Sequence, residues 1–132
     1  GINTGANTFN SLLSDTNGGA ALTLIKTGIG NWILGGQNTY SGATSIQDGS
    51  LTVSSLNSVN GGTPALASSS LGVPTTIGAG TITLGIAPVT GTDDMTVLNL
   101  QGVTLANNII VNNTNSAGVS VIQSAGSRIA CR

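Results

Sequence analysis

The sequence predicts an all-β protein and, within that class, a β-solenoid. Three observations carry this. Thr, Ser and Asn fill 47 of the 132 positions and Gly fills another 20, residue types that sit poorly in helix interiors and well at turns. Apolar residues alternate with polar ones in short bursts of period two, and nowhere recur at helical spacing. Phe9, Trp32 and Tyr40 are the only aromatics, too few to fill the wide core of a sandwich or small barrel. Val, Ile, Leu, Ala and Thr suit a narrow interior, in which like residues stack on like from turn to turn.

Taken in chain order, the clear strand bursts are Leu22 to Leu24, Trp32 to Leu34, Ser50 to Val53, Thr81 to Leu84, Thr96 to Leu100, Asn108 to Val111 and Val119 to Ile122. Shorter or less regular alternation adds Thr8 to Leu13, Ala43 to Gln47 and Thr75 to Gly78, making about ten strands. No helix is expected. Gly and Asn punctuate the bursts at Asn17-Gly18-Gly19, Gly28 to Gly30, Gly35-Gly36, Asn60-Gly61-Gly62 and Gly78 to Gly80, where sharp turns need a permissive backbone. The stretch 54–74 lacks strong alternation and reads as an irregular excursion from one corner. No composition shift marks a domain boundary, so residues 1–132 read as one solenoid unit.

Several classes of function fall away on composition. The chain carries three cations, four Asp, no Glu and no His, for a net charge of −1. Three cations cannot make the basic stripe that phosphate recognition needs, and three aromatics give no stacking platform, so nucleic acid is not an expected partner. No run approaches the roughly 18 apolar residues of a membrane-spanning helix, and neither aromatic girdles nor roughly ten-residue alternating strands suggest an outer-membrane barrel. Disorder is equally unexpected, since aliphatic content is ample and net charge is small. Cys131 is the single cysteine. It can form no disulfide within the chain and no metal cluster, which leaves a tolerated thiol or a link between molecules.

Within this frame one segment stands out. Lys26, Gly28, Gly30, Leu34, Gly36, Asn38, Tyr40, Gly42, Thr44, Ile46, Gly49 and Leu51 fall in one fixed register. Together they resemble the autotransporter-associated β-strand repeat, with the likeness covering residues 22–53. Trp32 departs from the pattern, standing where an aliphatic residue is usual. The resemblance implies a right-handed parallel β-helix, exported to the outer surface of a Gram-negative-type bacterium or beyond it. At the roughly 22–28 residues per turn that it implies, the chain would form about five rungs with strands about 4.8 Å apart. It further implies architectural roles: glycines at corners, Asn38 and Tyr40 pinning one corner, and Leu34, Ile46 and Leu51 pointing inward. It carries no catalytic assignment.

The first residues look like the lead-in to such a motif, and Val119 to Gly126 looks like the stretch before another. The unit is therefore expected to be open at both ends, with Arg128 and Arg132 partly blunting one. It would either continue a longer solenoid or stack head to tail on copies of itself, and a heterologous contact of that kind builds an open filament.

Enzyme activity is not expected. Asp15, Asp48, Asp93 and Asp94 are the only carboxylate side chains, and without His a serine has almost nothing to activate it. Adjacent Asp93 and Asp94 read as a solvated turn, and no cofactor or metal is expected. The sequon Asn112-Asn-Thr114 is expected to be unused. The sequence therefore points to an extracellular or bacterial cell-surface structural protein that self-associates or extends a longer assembly. The alternative is an adhesin-type passenger fragment, binding a glycan or matrix ligand through a Thr/Ser/Asn face such as that around Thr81 and Thr83, with Trp32 and Tyr40 as candidate stacking rings.

Overall fold

The structure is a computed structural model that describes residues 5–57, 67–85, 96–100, 111–113, 120–124 and 127–131. Its strands are β1 (Ala6–Phe9), β2 (Leu24–Lys26), β3 (Asn31–Leu34), β4 (Thr44–Ile46), β5 (Gly49–Val53), β6 (Ile82–Leu84), β7 (Thr96–Leu100), β8 (Val111–Asn113), β9 (Ser120–Ser124) and β10 (Ser127–Cys131). From β1 to β9 they are dealt alternately into two sheets. One runs β1-β3-β5-β7-β9-β10 and the other β2-β4-β6-β8. Every pairing is parallel except that of β9 with β10. Parallel neighbours need a crossover, and here the crossover always visits the other sheet. That alternation is consistent with an all-β parallel solenoid.

The register shows how the interior is built. Trp32, Leu51, Leu98 and Ile122 occupy one register position in four successive strands of the first sheet. Lys26, Ile46 and Leu84 do the same in the second. Side chains at one register position share a face, so these columns stack along the axis. Leu34, Ile46, Leu51, Val53, Leu56, Leu71, Ile82, Leu84 and Leu98 form the buried cluster, with Phe9, Leu13, Leu24 and Ile122 packed against it. All but one are aliphatic, as a narrow interior requires. Val97 and Val121 are also buried, although alternation sends them to the opposite face, so the first sheet is covered on both sides at β7 and β9.

The spacing of turns is uneven. Asn31 of β3 lies opposite Ala6 of β1 and Ser50 of β5, whereas Gly49 of β5 lies opposite Thr96, roughly two to two and a half times as far along the chain. The longer interval includes the region read as an irregular excursion, of which residues 58–66 lie outside the description. It also contains one helical turn, α1 (Ile77–Gly80), where alternation suggested a strand over Thr75 to Gly78. Thr76 explains the difference. Its Oγ1 accepts from Ala79 N at 3.2 Å, and Gly80 N reaches Thr76 O at 2.9 Å. An N-cap threonine beside two glycines with little strand preference closes a turn instead.

Close approach between turns accounts for Gly49. Its φ is +66°, and a Cβ there would lie 2.5 Å from Gly28 O, 2.7 Å from Ile29 C and 2.8 Å from Gly30 O. The backbone of one turn rests on the backbone of the turn before, leaving no room for a side chain and requiring a conformation that glycine tolerates.

Candidate functional site

Between β3 and β4 the chain forms no named strand and bends at Gly36 and Gly42, and its burial alternates on into β4. Gly36, Asn38, Tyr40, Gly42, Thr44 and Ile46 are buried while the residues between them are not. The period-two motif is therefore the inward face of the segment that runs from β3 into β4. Three of these inward residues are polar, and a buried polar group must find partners inside the chain.

Asn38 finds them on two neighbouring segments. Fully buried, its Oδ1 accepts from Leu13 N at 2.8 Å while its Nδ2 donates to Ser70 O at 2.7 Å. Its backbone pairs with Ser69 in both directions, at 2.9 and 3.1 Å. Three segments, about one turn apart, are thus clamped by one amide. Tyr40 is fully buried too, with its hydroxyl 2.9 Å from Thr44 Oγ1. Burial pushes the phenol up to about 12, against a smaller opposing effect of the Thr44 hydrogen bond. Gly72 lets the backbone press against the Tyr40 carbonyl. Ser70 completes the corner: its Oγ accepts from Ser54 N at 3.2 Å and Ser55 N at 3.3 Å, and its own N–H donates to Ser55 Oγ at 2.9 Å.

Asp15 carries out a second clamp. Its Oδ1 accepts from Leu22 N at 3.0 Å and Ser41 N at 2.9 Å, and its Oδ2 accepts from Ser41 Oγ at 2.6 Å. The Ser41 hydroxyl, then the Leu22 and Ser41 backbone N–H groups, hold the carboxyl below its ordinary value of 3.8. The residue types alone gave no reason to single Asp15 out, and its partner Ser41 is 26 positions away.

Lys26 occupies an inward position in β2 and is only 6 % exposed. Its ammonium donates to Thr27 O at 3.0 Å, Gly28 O at 2.5 Å and Asp48 O at 3.0 Å. Three protons meet three carbonyls, so the lysine binds two consecutive turns together. Desolvation lowers its pKa, and the Asp48 charge acts in the opposite direction. Asp48 Oδ1 in turn accepts from Gly49 N at 2.7 Å.

A largely apolar surface lies at the β1/β2 end of the stack. A cavity of about 300 Å³ opens there, walled by Phe9, Leu13, Leu24, Ile25, Trp32, Leu34 and Leu51 together with Lys26 and Thr27. Trp32 shares the register column of Leu51, yet it is 40 % exposed, because only Asn7 of β1 lies beyond it. Ile25 and Ile29 are exposed nearby in sequence. Among the described residues β1 and β2 are the terminal strands of their sheets at this end.

The remaining candidates are placed as follows. Gly28 has φ +74°, and Gly30 is buried. Gly42 packs against the Leu22 carbonyl. Leu34, Ile46 and Leu51 lie in the core. Thr81 precedes β6 and Thr83 lies within it. Cys131 pairs through its backbone with Ser120 at the end of β10. Asp93, Asp94, Thr114 and Arg132 lie outside the described residues. Among the described residues no group of three or more His, Cys, Asp or Glu side chains gathers, and no helix is long and apolar enough to cross a membrane.

The class defined by this geometry is a parallel β-stack held from turn to turn by buried polar residues. Comparison with known proteins makes it specific. Residues 24–53 match the Passenger-associated-transport-repeat family, and these bounds are the first residue of β2 and the last of β5, two successive strands in each sheet. The chain is also 42 % identical over 55 residues to the Adhesin BmaC autotransporter of Brucella suis biovar 1 (strain 1330). That alignment covers 42 % of this chain and 2 % of the relative. No solved structure gives a significant match. The chain carries an autotransporter passenger repeat.

Two outcomes follow from the clamps. Replacing Asn38→Ala leaves Leu13 N–H and Ser70 C=O without partners and is expected to cost about 2–4 kcal/mol in urea unfolding. Asp15 sets an acid limit. Because its folded pKa is depressed, its hydrogen bonds contribute fully above 3.8 and are lost as pH falls through the folded value. Thermal unfolding followed by circular dichroism should show the melting temperature falling below that pH, and Asp15→Asn should flatten the fall.

Proposed function

We propose that this chain is a non-catalytic structural segment of a surface-displayed, adhesin-like autotransporter passenger. Its fold is a right-handed parallel β-helix of about five turns. The observation that carries this reading is the coincidence of the repeat match with β2 to β5, together with the internal use of the polar motif residues. Asn38 and Lys26 reach neighbouring turns and Tyr40 is spent on Thr44 of its own segment, which suits a spacer or scaffold more than a reaction centre. The adhesin relative supports display at the cell surface or beyond it, and any glycan or matrix ligand would meet outward Ser, Thr and Asn positions such as Ser45 and Thr83.

Axial association has a specific observation in its favour, the apolar β1/β2 end with its cavity and exposed Trp32. A following or preceding turn laid on that end would cover Trp32 and continue the two sheets past β1 and β2. The other end is built differently. There β10 doubles back antiparallel on β9, so parallel addition to the first sheet is favoured at its β1 end.

The test is display. Fused in frame ahead of an autotransporter translocator, the chain should reach the cell surface and be accessible to antibody while resisting added protease. Retention inside the cell, or rapid surface proteolysis, would count against a passenger role. Light scattering of the purified chain separates the assembly component: growth with concentration supports end-to-end addition, and a constant monomer mass removes it.

A further inference from the structure

The turn Thr16 to Ala20 between β1 and β2 contains a chemically distinct pair that neither clamp uses. Asn17 and Gly18 form its exposed tip. The turn is closed around them by Gly19 N to Thr16 O at 2.9 Å and Thr16 N to Ala20 O at 3.3 Å. Gly19, with φ +78°, supplies the left-handed residue. Nothing lies within 4 Å of where a Gly18 Cβ would stand. Among the described residues neither Asn17 nor Gly18 engages in a hydrogen bond. The Gly18 amide nitrogen is thus solvated, sterically open and adjacent to an unrestrained carboxamide.

The geometry points to Asn17 as a site of spontaneous covalent modification through a succinimide. The Gly18 backbone nitrogen gives up its proton to solvent base and attacks Asn17 Cγ. The N–Cγ bond forms, the Cγ–Nδ2 bond breaks, and ammonia leaves with a proton from water. Water then opens the five-membered imide at either carbonyl. Opening at Cγ yields aspartate, and opening at the former backbone carbonyl yields isoaspartate, whose main chain runs through Cβ and Cγ. No oxidant or further reactant is consumed. Each product adds one negative charge to a chain of net charge −1.

Asn38 supplies the internal contrast. Its carboxamide is held at both ends, by Leu13 N at 2.8 Å and Ser70 O at 2.7 Å, and the following Thr39 N donates to Leu13 O at 2.9 Å. Neither nucleophile nor electrophile is free to move there. The modified position also matters to the fold, because it lies inside the loop that Leu22 N closes on Asp15 Oδ1 at 3.0 Å. Isoaspartate lengthens the backbone within that closed loop by one carbon.

The test is incubation of the folded chain in mildly alkaline buffer, with samples taken over days for peptide mapping by mass spectrometry. A gain of about one mass unit localised by fragmentation to residue 17, ahead of any at Asn38, is the expected result. Gly18 has open space and no positive φ, so Gly18→Ala should fold normally and slow the gain, and Asn17→Gln should abolish it at this position. Equal rates at Asn17 and Asn38, an unmodified Asn17 at the end of the series, or a Gly18→Ala variant that reacts as fast as the parent would each overturn the proposal.

Discussion

A polar group buried in a narrow interior has no water to turn to, so its partners must come from the chain itself. In this solenoid buried Asn38 and Lys26, and half-buried Asp15, each take a partner from a neighbouring turn. The aliphatic columns supply attraction without direction, and they would tolerate a slip along or around the axis. The polar clamps do not. Asn38 works only when Leu13 and Ser70 stand on either side of it, and Lys26 only when Asp48 O arrives beside Gly28 O. The hydrophobic stack makes the turns cohere, and the amide, carboxylate and ammonium set which atom lies over which.

The same constraint explains why the chain has so few charges. An ammonium or carboxylate inside a solenoid is costly unless each hydrogen-bonding position is filled. Lys26 meets that condition with three carbonyls, whereas Asp15 stays partly exposed and takes its donors from Leu22 and Ser41. Neutral Thr, Ser and Asn meet it more cheaply and do not repel their counterparts about 4.8 Å away in the next strand. The repeat is then less a code for binding than a set of positions where each turn is fastened to the one before.

Much of this was legible in the sequence. β7 begins and ends where alternation places it, at Thr96 and Leu100, because Val-Leu-Asn-Leu has little else to become. β5 differs by one residue, since Gly49 joins the strand through its backbone. Other features were not legible, for physical reasons. The clamp at Asp15 depends on Ser41, and no local pattern couples two residues so far apart. α1 arose where a threonine cap outweighed a short alternation. β10 has no alternating signature of its own, and its pairing is set by the edge of β9. Trp32 lies in an inward column yet is exposed, a consequence of its place near the end of the stack that no spacing rule contains.

If side chains of one turn hold the backbone of the next, amide hydrogen exchange will show it. Leu13, Leu22 and Ser41 lie outside every strand, and each donates its N–H to a side chain, Asn38 or Asp15. They are predicted to exchange as slowly as the amides of β3 and β5 under native conditions. Exchange at the rate of the exposed Thr16 to Ala20 turn would contradict the clamps and leave the strand ladders and the apolar columns to join the turns without them.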